Sequence, residues 1–336
     1  MKLSLFYRYP SPEYHSIEQL FDTISDHFPD RLNVQKIYAK HKSKGLINRI
    51  QIGIDARKAQ SEINHITGDI HFIAPFLSKR KTILTIHDIG SVKSGNFLKK
   101  WILKLFWFTI PAKSVAYITV ISEFTKIELL NYIKINPAKV IVIPNCISPI
   151  YQYSSKIFNT EKPVILQIGT KKNKNLNRLI KAVEDINCKL LIVGKLSPNQ
   201  SNLLNKKNIE YENHFNIDQN KLLDLYQQSD IVSFISTYEG FGLPILEANA
   251  IGRVVITSNI EPMNTVANDA AYKINPFDVD EIKKGIQTLI SNKYLREKLI
   301  LSGFENVKKY SAETIAQKYR NVYKKVIKTG QKHLLN

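Results

Sequence analysis

The sequence predicts an α/β protein made of two Rossmann-like, doubly wound domains facing each other across a cleft. Three observations lead there. Short runs of β-branched residues alternate with amphipathic stretches along the chain, the pattern of parallel βαβ architecture. The 336 residues, 43% of them hydrophobic, suffice for two domains that each bury a core. No low-complexity stretch and no repeat of fixed period interrupts the alternation.

In the first domain, 1–150, strands are expected over 2–7, 33–38, 81–86, 116–121 and 140–143. Helices are expected over 16–27, 46–60, 97–110 and 123–133, the last capped by Ser122. Residues 151–162 lie in an aperiodic stretch and read as a linker. The second domain, 163–311, has expected strands over 163–168, 189–193, 231–235 and 254–257. Its helices are placed over 175–184, 219–228, 243–249, 279–291 and 293–310, with Asp278 and Glu281 spaced as a capping box. A last helix over 312–327, within a tail of 312–336, is expected to pack back on the first domain.

The net charge is +19, ten of it in residues 1–150 and nine in the rest, so it is no detachable tail. Such an excess points to an anionic partner: nucleic acid, a phosphate-rich ligand or an anionic membrane surface. The opening apolar run is closed by Arg8 and Pro10, too short for a signal-peptide core, and reads as a buried strand. No run reaches the roughly 18 apolar residues of a membrane span. A cytoplasmic location is expected. Cys146 and Cys188 lack zinc-ligand spacing and read as reduced thiols in or near the core. Residues 31–54 and 89–122 contain no acid. In the second run a helix would place Lys100 and Lys104 on one face and Leu98, Trp101, Ile102 and Leu105 on another. That composition fits a helix lying on anionic lipid, which would make the protein peripheral on the inner face of the membrane.

Ligands of open α/β sheets bind beyond the carboxyl ends of the strands, so the loops after strands carry the chemistry. In the loop 167–175, Gly169 permits a sharp turn, and Lys171, Lys172 and Lys174 follow it within reach of an anion. Gly194 ends another strand and permits close approach of a ligand. The third loop is Glu239-Gly-Phe-Gly-Leu-Pro-Ile-Leu-Glu247. Its glycines bracket Phe241, and Pro244 suits the first position of a helix. Backbone N–H groups at that helix start would take a diphosphate, and the two carboxylates would accept from sugar diols.

This segment resembles the E-x7-E signature of retaining glycosyltransferases of family 4, which adopt the GT-B fold. The likeness extends to Tyr226-Gln-Gln-Ser-Asp230 before it and to Ala250-Ile-Gly252, Ile256-Thr-Ser-Asn259, Asn268-Asp-Ala-Ala271 and Asn275-Pro-Phe-Asp278 after it. Upstream, Ile121-Ser-Glu-Phe-Thr-Lys126 and Val142-Ile-Pro-Asn145 resemble the end of that family's first domain. Roughly residues 80–325 are covered. The resemblance implies that Glu247 holds the ribose hydroxyls and Glu239 sits by the donor sugar. Phe241, Gly242 and Leu243 would offer N–H groups to the diphosphate or sugar. Lys174 matches the diphosphate-binding lysine, and His87, at the end of a first-domain strand, would contact donor sugar or phosphate from across the cleft.

The chain departs from the family at Thr170, where an arginine is usual; Lys171 or Lys172 would have to supply that charge, without an arginine's fork. Arg253 stands where a proline is common, and Thr265 where a glutamate is common. The loop 8–16 lacks the usual glycines. The polar stretch 65–71 is expected to line the cleft; metal binding by its two histidines is disfavoured. The implied reaction is transfer from a nucleoside-diphosphate sugar to a hydroxyl of a lipid-linked or cell-surface glycan precursor. It would need no metal or cofactor, the leaving phosphate helping to deprotonate the acceptor. A nucleotide-sugar epimerase and a basic nucleic-acid-binding protein are the alternatives. No nucleic-acid module is apparent, and two acids in the site serve the latter poorly.

Overall fold

Six strands form the first sheet: β1 (Lys2–Tyr7), β2 (Asn33–Tyr38), β3 (Ile63–Ile66), β4 (Thr82–Ile86), β5 (Tyr117–Val120) and β6 (Val140–Val142). All pair in parallel, in the order β2-β1-β3-β4-β5-β6. The computed structural model describes residues 1–10, 16–28, 32–90 and 97–332, with side chains 97–99 and 330–332 left aside. Residues 11–15 of the glycine-free loop, Arg31, residues 91–96 of the acid-free run and the Leu98 side chain therefore lie outside the described residues.

Alternation along β1 sends Leu3, Leu5 and Tyr7 to one face and Phe6 to the other. The first face is covered by α1 (Ser16–Asp26), through Leu20, Phe21 and Ile24. The second is covered by α2 (Leu46–Lys58), through Ile52 and Ala56, and by a 3-10 turn over His71–Phe76. Beyond β4, the helix expected over 97–110 is three pieces: α3 (Phe97–Leu103), a π-helical segment Lys104–Thr109, and α4 (Ile110–Lys113). Next comes α5 (Glu123–Tyr132); Ser122 caps it, accepting from the Thr125 N–H as expected.

The second sheet comprises β7 (Val164–Ile168), β8 (Lys189–Val193), β9 (Glu210–His214), β10 (Ile231–Phe234), β11 (Val254–Ser258) and β12 (Tyr272–Ile274). Its order is β12-β11-β10-β7-β8-β9, again all parallel. The helices are α6 (Leu176–Ala182), α7 (Pro198–Lys206), α8 (Gln219–Gln228), α9 (Leu243–Ile251), α10 (Met263–Ala267), α11 (Val279–Ser291) and α12 (Lys293–Lys308). One core joins Leu179, Ile180, Leu204, Ile282 and Ile286 to Ile165, Leu190 and Ile256 of the sheet. On the other helices, α8 and α9 pack against β7, β10 and β11. Asp278 caps α11, but Glu281 accepts from the Asn275 N–H and not from the cap residue, so the expected box is only half made.

The chain then ends in α13 (Ala312–Lys332), which joins α1 on the first sheet through Ile315, Tyr319, Val322 and Tyr323. Two units result: Met1–Cys146 with Ala312–Asn336, and Ile147–Ser311. Residues 147–163 belong to the second unit and are pinned there by buried charge. Lys156 Nζ meets Asp230 Oδ1 at 2.7 Å. Arg253 donates to the carbonyls of Ser154, Tyr226, Gln227 and Ile251. The Arg296 guanidinium stacks 4.0 Å from the Phe158 ring centroid. Both cysteines are free and buried, and burial pushes each thiol up to about 12.

Candidate active site

In the second sheet β7 and β10 are neighbours where the strand order reverses, the position at which open α/β sheets bind ligands. The loops leaving these two strands are stitched together. Gly169 has φ 93°, and a Cβ there would lie 2.7 Å from Lys174 Cγ, so only glycine lets the lysine fold back across the turn. Asn175, at φ 64°, donates from Nδ2 to the Ile235 and Pro276 carbonyls at 3.1 and 2.6 Å. Asn173 donates to the Tyr238 carbonyl at 3.0 Å and to Glu239 Oε1 at 3.3 Å. The result is a close ion pair, Lys174 Nζ to Glu239 Oε1 at 2.7 Å, with the side chains only 21% and 16% exposed. Lys174 also stands 4.8 Å over the Phe234 ring centroid, a cation–π contact that steadies the ammonium.

Beside this pair begins α9. Gly242, at φ 139°, is its cap, and Pro244 is its second residue, not its first. The N–H groups of Phe241, Gly242 and Leu243 have no partner among the described residues, so the helix start is open to an anion. One turn in, Glu247 is half-buried and accepts from the Tyr226 hydroxyl at 2.5 Å. Burial pushes its carboxyl up to about 7, against hydrogen bonds from Tyr226 and Tyr151 and the charge of Lys174. Tyr226 is itself fully buried. Asn173, Asn175, Tyr151 and Tyr226 were not singled out by sequence reasoning for any role. The one signal was Tyr226, which opens a segment resembling the family, and an aromatic hydroxyl there reads first as core.

The remaining predicted residues fall around the same loops. Thr170 donates from Oγ1 to the Lys195 carbonyl at 2.7 Å, and its own carbonyl accepts from Gln200. It therefore ties the β7 loop to the β8 exit at Gly194, whose missing side chain leaves room for Thr170. Lys171 and Lys172 are exposed, with no ion pair to any described residue.

His87 belongs to the first unit. Its Nε2 donates to the Thr67 carbonyl at 2.8 Å, and burial lowers its pKa, so the ring is neutral with Nδ1 as an acceptor. Nearby, Arg8 pairs with Glu18 at 2.8 Å and with Asp69. The expectation for the stretch 65–71 needs correction. His65 is fully buried, held between the Tyr323 hydroxyl at 2.8 Å and Thr85 Oγ1 at 2.7 Å, and lines no opening. His71 is buried too, and its Nδ1 donates to the Trp107 carbonyl at 3.0 Å. Burial lowers the two rings to about 3 and about 4.

Two parallel six-stranded sheets flanked by helices, with this site at one switch point, define a GT-B glycosyltransferase fold. Known proteins agree. A family model described as glycosyl transferases group 1 matches residues 153–305, and one described as glycosyltransferase family 4 matches residues 27–150. The chain belongs to these family 4, group 1 glycosyltransferases and is an enzyme of that class. It is 36% identical over 100 residues to the O-antigen chain mannosyltransferase B of Escherichia coli, covering 30% of this chain and 26% of that enzyme. It is 28% identical over 261 residues to a glycosyltransferase of Methanocaldococcus jannaschii, covering 73% of this chain and 68% of the relative. Among solved structures, Anabaena Alr3699/HepE in complex with UDP and glucose superposes with a TM-score of 0.78 at 13% identity, covering 96% of this chain and 99% of that one.

Proposed function

We propose that the enzyme transfers a sugar from a nucleoside-diphosphate sugar to a hydroxyl of a lipid-linked or cell-surface glycan precursor, with retention at the anomeric carbon and without a metal. The observation that carries this reading is the Lys174–Glu239 pair beside the open start of α9. Lys174 keeps one N–H on Glu239 and has two more for a diphosphate. The N–H groups of Phe241, Gly242 and Leu243, with Lys171 and Lys172 nearby, add positive potential for the leaving group. Glu239 accepts from the donor sugar and Glu247 from the ribose diol. In the transfer the acceptor oxygen bonds to the anomeric carbon while the bond to the diphosphate breaks. The acceptor proton passes to the departing phosphate oxygen, so no protein base is required. The UDP and glucose held by a protein of the same fold, and relatives named for O-antigen and capsular polysaccharide synthesis, support this class of donor and acceptor.

A thermal-shift screen of UDP, GDP, ADP and their sugars tests the donor, since a ligand of the native state raises apparent stability. One nucleotide series is expected to stabilise the protein well above the others. No shift with any of them would refute the reading. Retention is checked by the anomeric configuration of the product, and metal independence by full turnover in a chelator.

A further inference from the structure

The first unit carries an apolar surface that no reaction requires. On α2, Leu46 and Ile47 are 73% and 82% exposed, and Ile50 and Ile54 are also exposed. Spacings of 4 and 8 residues from Leu46 put Ile50 and Ile54 along the same helix face. The helix α3 and its π-helical continuation add a second ridge of Trp101, Ile102 and Phe106, all exposed. Trp101 and Ile102 lie near the end of α3, and Phe106 follows in the π-helical segment that continues it. The ridges adjoin: the Arg49 guanidinium of α2 lies 5.0 Å from the Trp107 ring centroid and 5.8 Å from that of Phe72. Soluble proteins seldom leave that much aromatic and branched side chain in water without a partner.

The charge around these ridges identifies the partner. Residues 40–58 hold six Lys and Arg against Asp55 alone, and residues 97–113 hold four lysines and no acid. Among the described residues, Lys40, Lys42, Lys44 and Lys100 are exposed and have no ion-pair partner. A second copy of this face would meet like charge, whereas anionic headgroups neutralise the cations while the apolar ridges enter the acyl boundary. No described helix is long and apolar enough to cross a membrane. We propose that α2 and α3, with its π-helical continuation, form a docking surface for a bilayer containing anionic lipid. This stands independently of the donor assignment.

The test is co-sedimentation of the full chain with vesicles of phosphatidylcholine alone or mixed with phosphatidylglycerol. Binding is expected to the mixed vesicles only. Lys40→Gln with Lys42→Gln and Lys44→Gln should lower the partition about a hundredfold, at roughly fivefold per lysine near an anionic surface. Ile47→Ser with Trp101→Ala should abolish the binding that survives high salt. The equally cationic Lys324, Lys325 and Lys328 lie on α13, against the other face of the same sheet. Changing all three to Gln should leave partition unchanged. All substituted side chains are exposed, and unaltered melting verifies the fold. Failure to bind overturns the proposal, as does equal loss in the α13 variant, which would mean undirected charge. A dimer that Ile47→Ser dissociates would also overturn it, by showing a second copy on this face.

Discussion

The Tyr226 hydroxyl donates to Glu247 Oε2 at 2.5 Å from a position with no solvent exposure. A buried phenol cannot swing away cheaply, so the Glu247 carboxyl is anchored, with the Tyr151 hydroxyl as a second partner. With its carboxyl at about 7, Glu247 changes charge in the neutral range. Nucleotide affinity should therefore rise with pH through about 7 and level off above it. Tyr226→Phe removes a hydrogen bond that favours the ionised form, so the midpoint should move up. Glu247→Gln should weaken binding by about 1.5–3 kcal/mol and flatten the profile. Calorimetric titration of the stabilising nucleotide across this range measures both; a flat wild-type profile would contradict the assignment.

Removing either member of the Lys174–Glu239 pair should damage transfer for different reasons. Glu239→Ala is expected to lower turnover about a hundredfold or more, the cost of one transition-state contact in a water-poor site. Lys174→Met should chiefly weaken diphosphate binding. Melting curves should show both folded, and the double variant should be no less stable than either single, because neither charge is left alone. Full activity in Glu239→Ala would count against its role.

Gly169→Ala combines a strained φ with a Cβ 2.7 Å from Lys174 Cγ. We expect a loss of about 1–3 kcal/mol in denaturant unfolding and a fall in nucleotide affinity, because the lysine must move to make room.

The two units should answer acid in opposite ways. His65 has its pKa lowered from 6.5 to about 3, so its contribution is present above 6.5 and lost as pH falls toward 3. Glu247 is raised from 4.5 to about 7, so its contribution is full below 4.5 and lost as pH rises through 7. Between pH 7 and pH 5, protection against hydrogen exchange, corrected for the intrinsic rate, should fall around β3 and α13 and rise around α9. Exchange that moved the same way in both would contradict these assignments.

Strands β1, β7 and β10 were readable from sequence because burial on both faces makes them mostly apolar, with Ser4, Gln167 and Ser233 the single polar residues inside their runs. β3 was not: Asn64 and His65 interrupt it, and His65 is satisfied inside the core only by partners distant in sequence, Thr85 and Tyr323. β9 reads Glu-Tyr-Glu-Asn-His, an edge strand whose exposed face resembles a loop. At the site, Glu239, Glu247 and Lys174 were legible through spacing and family likeness. Asn173 and Asn175 were not, because their work is to hold two loops together, and that depends on which strands become neighbours.

The helix α13 completes the core of the first unit from the far end of the chain, with the whole second unit encoded in between. During synthesis residues 147–311 therefore emerge as one continuous stretch that can close on itself. The opening 146 residues must wait, with Tyr7, Phe21 and His65 lacking their covering helix, until residues 312–332 leave the ribosome. The unit made first is finished last, and a chain interrupted before residue 312 would expose an aromatic face for chaperones or proteases to find.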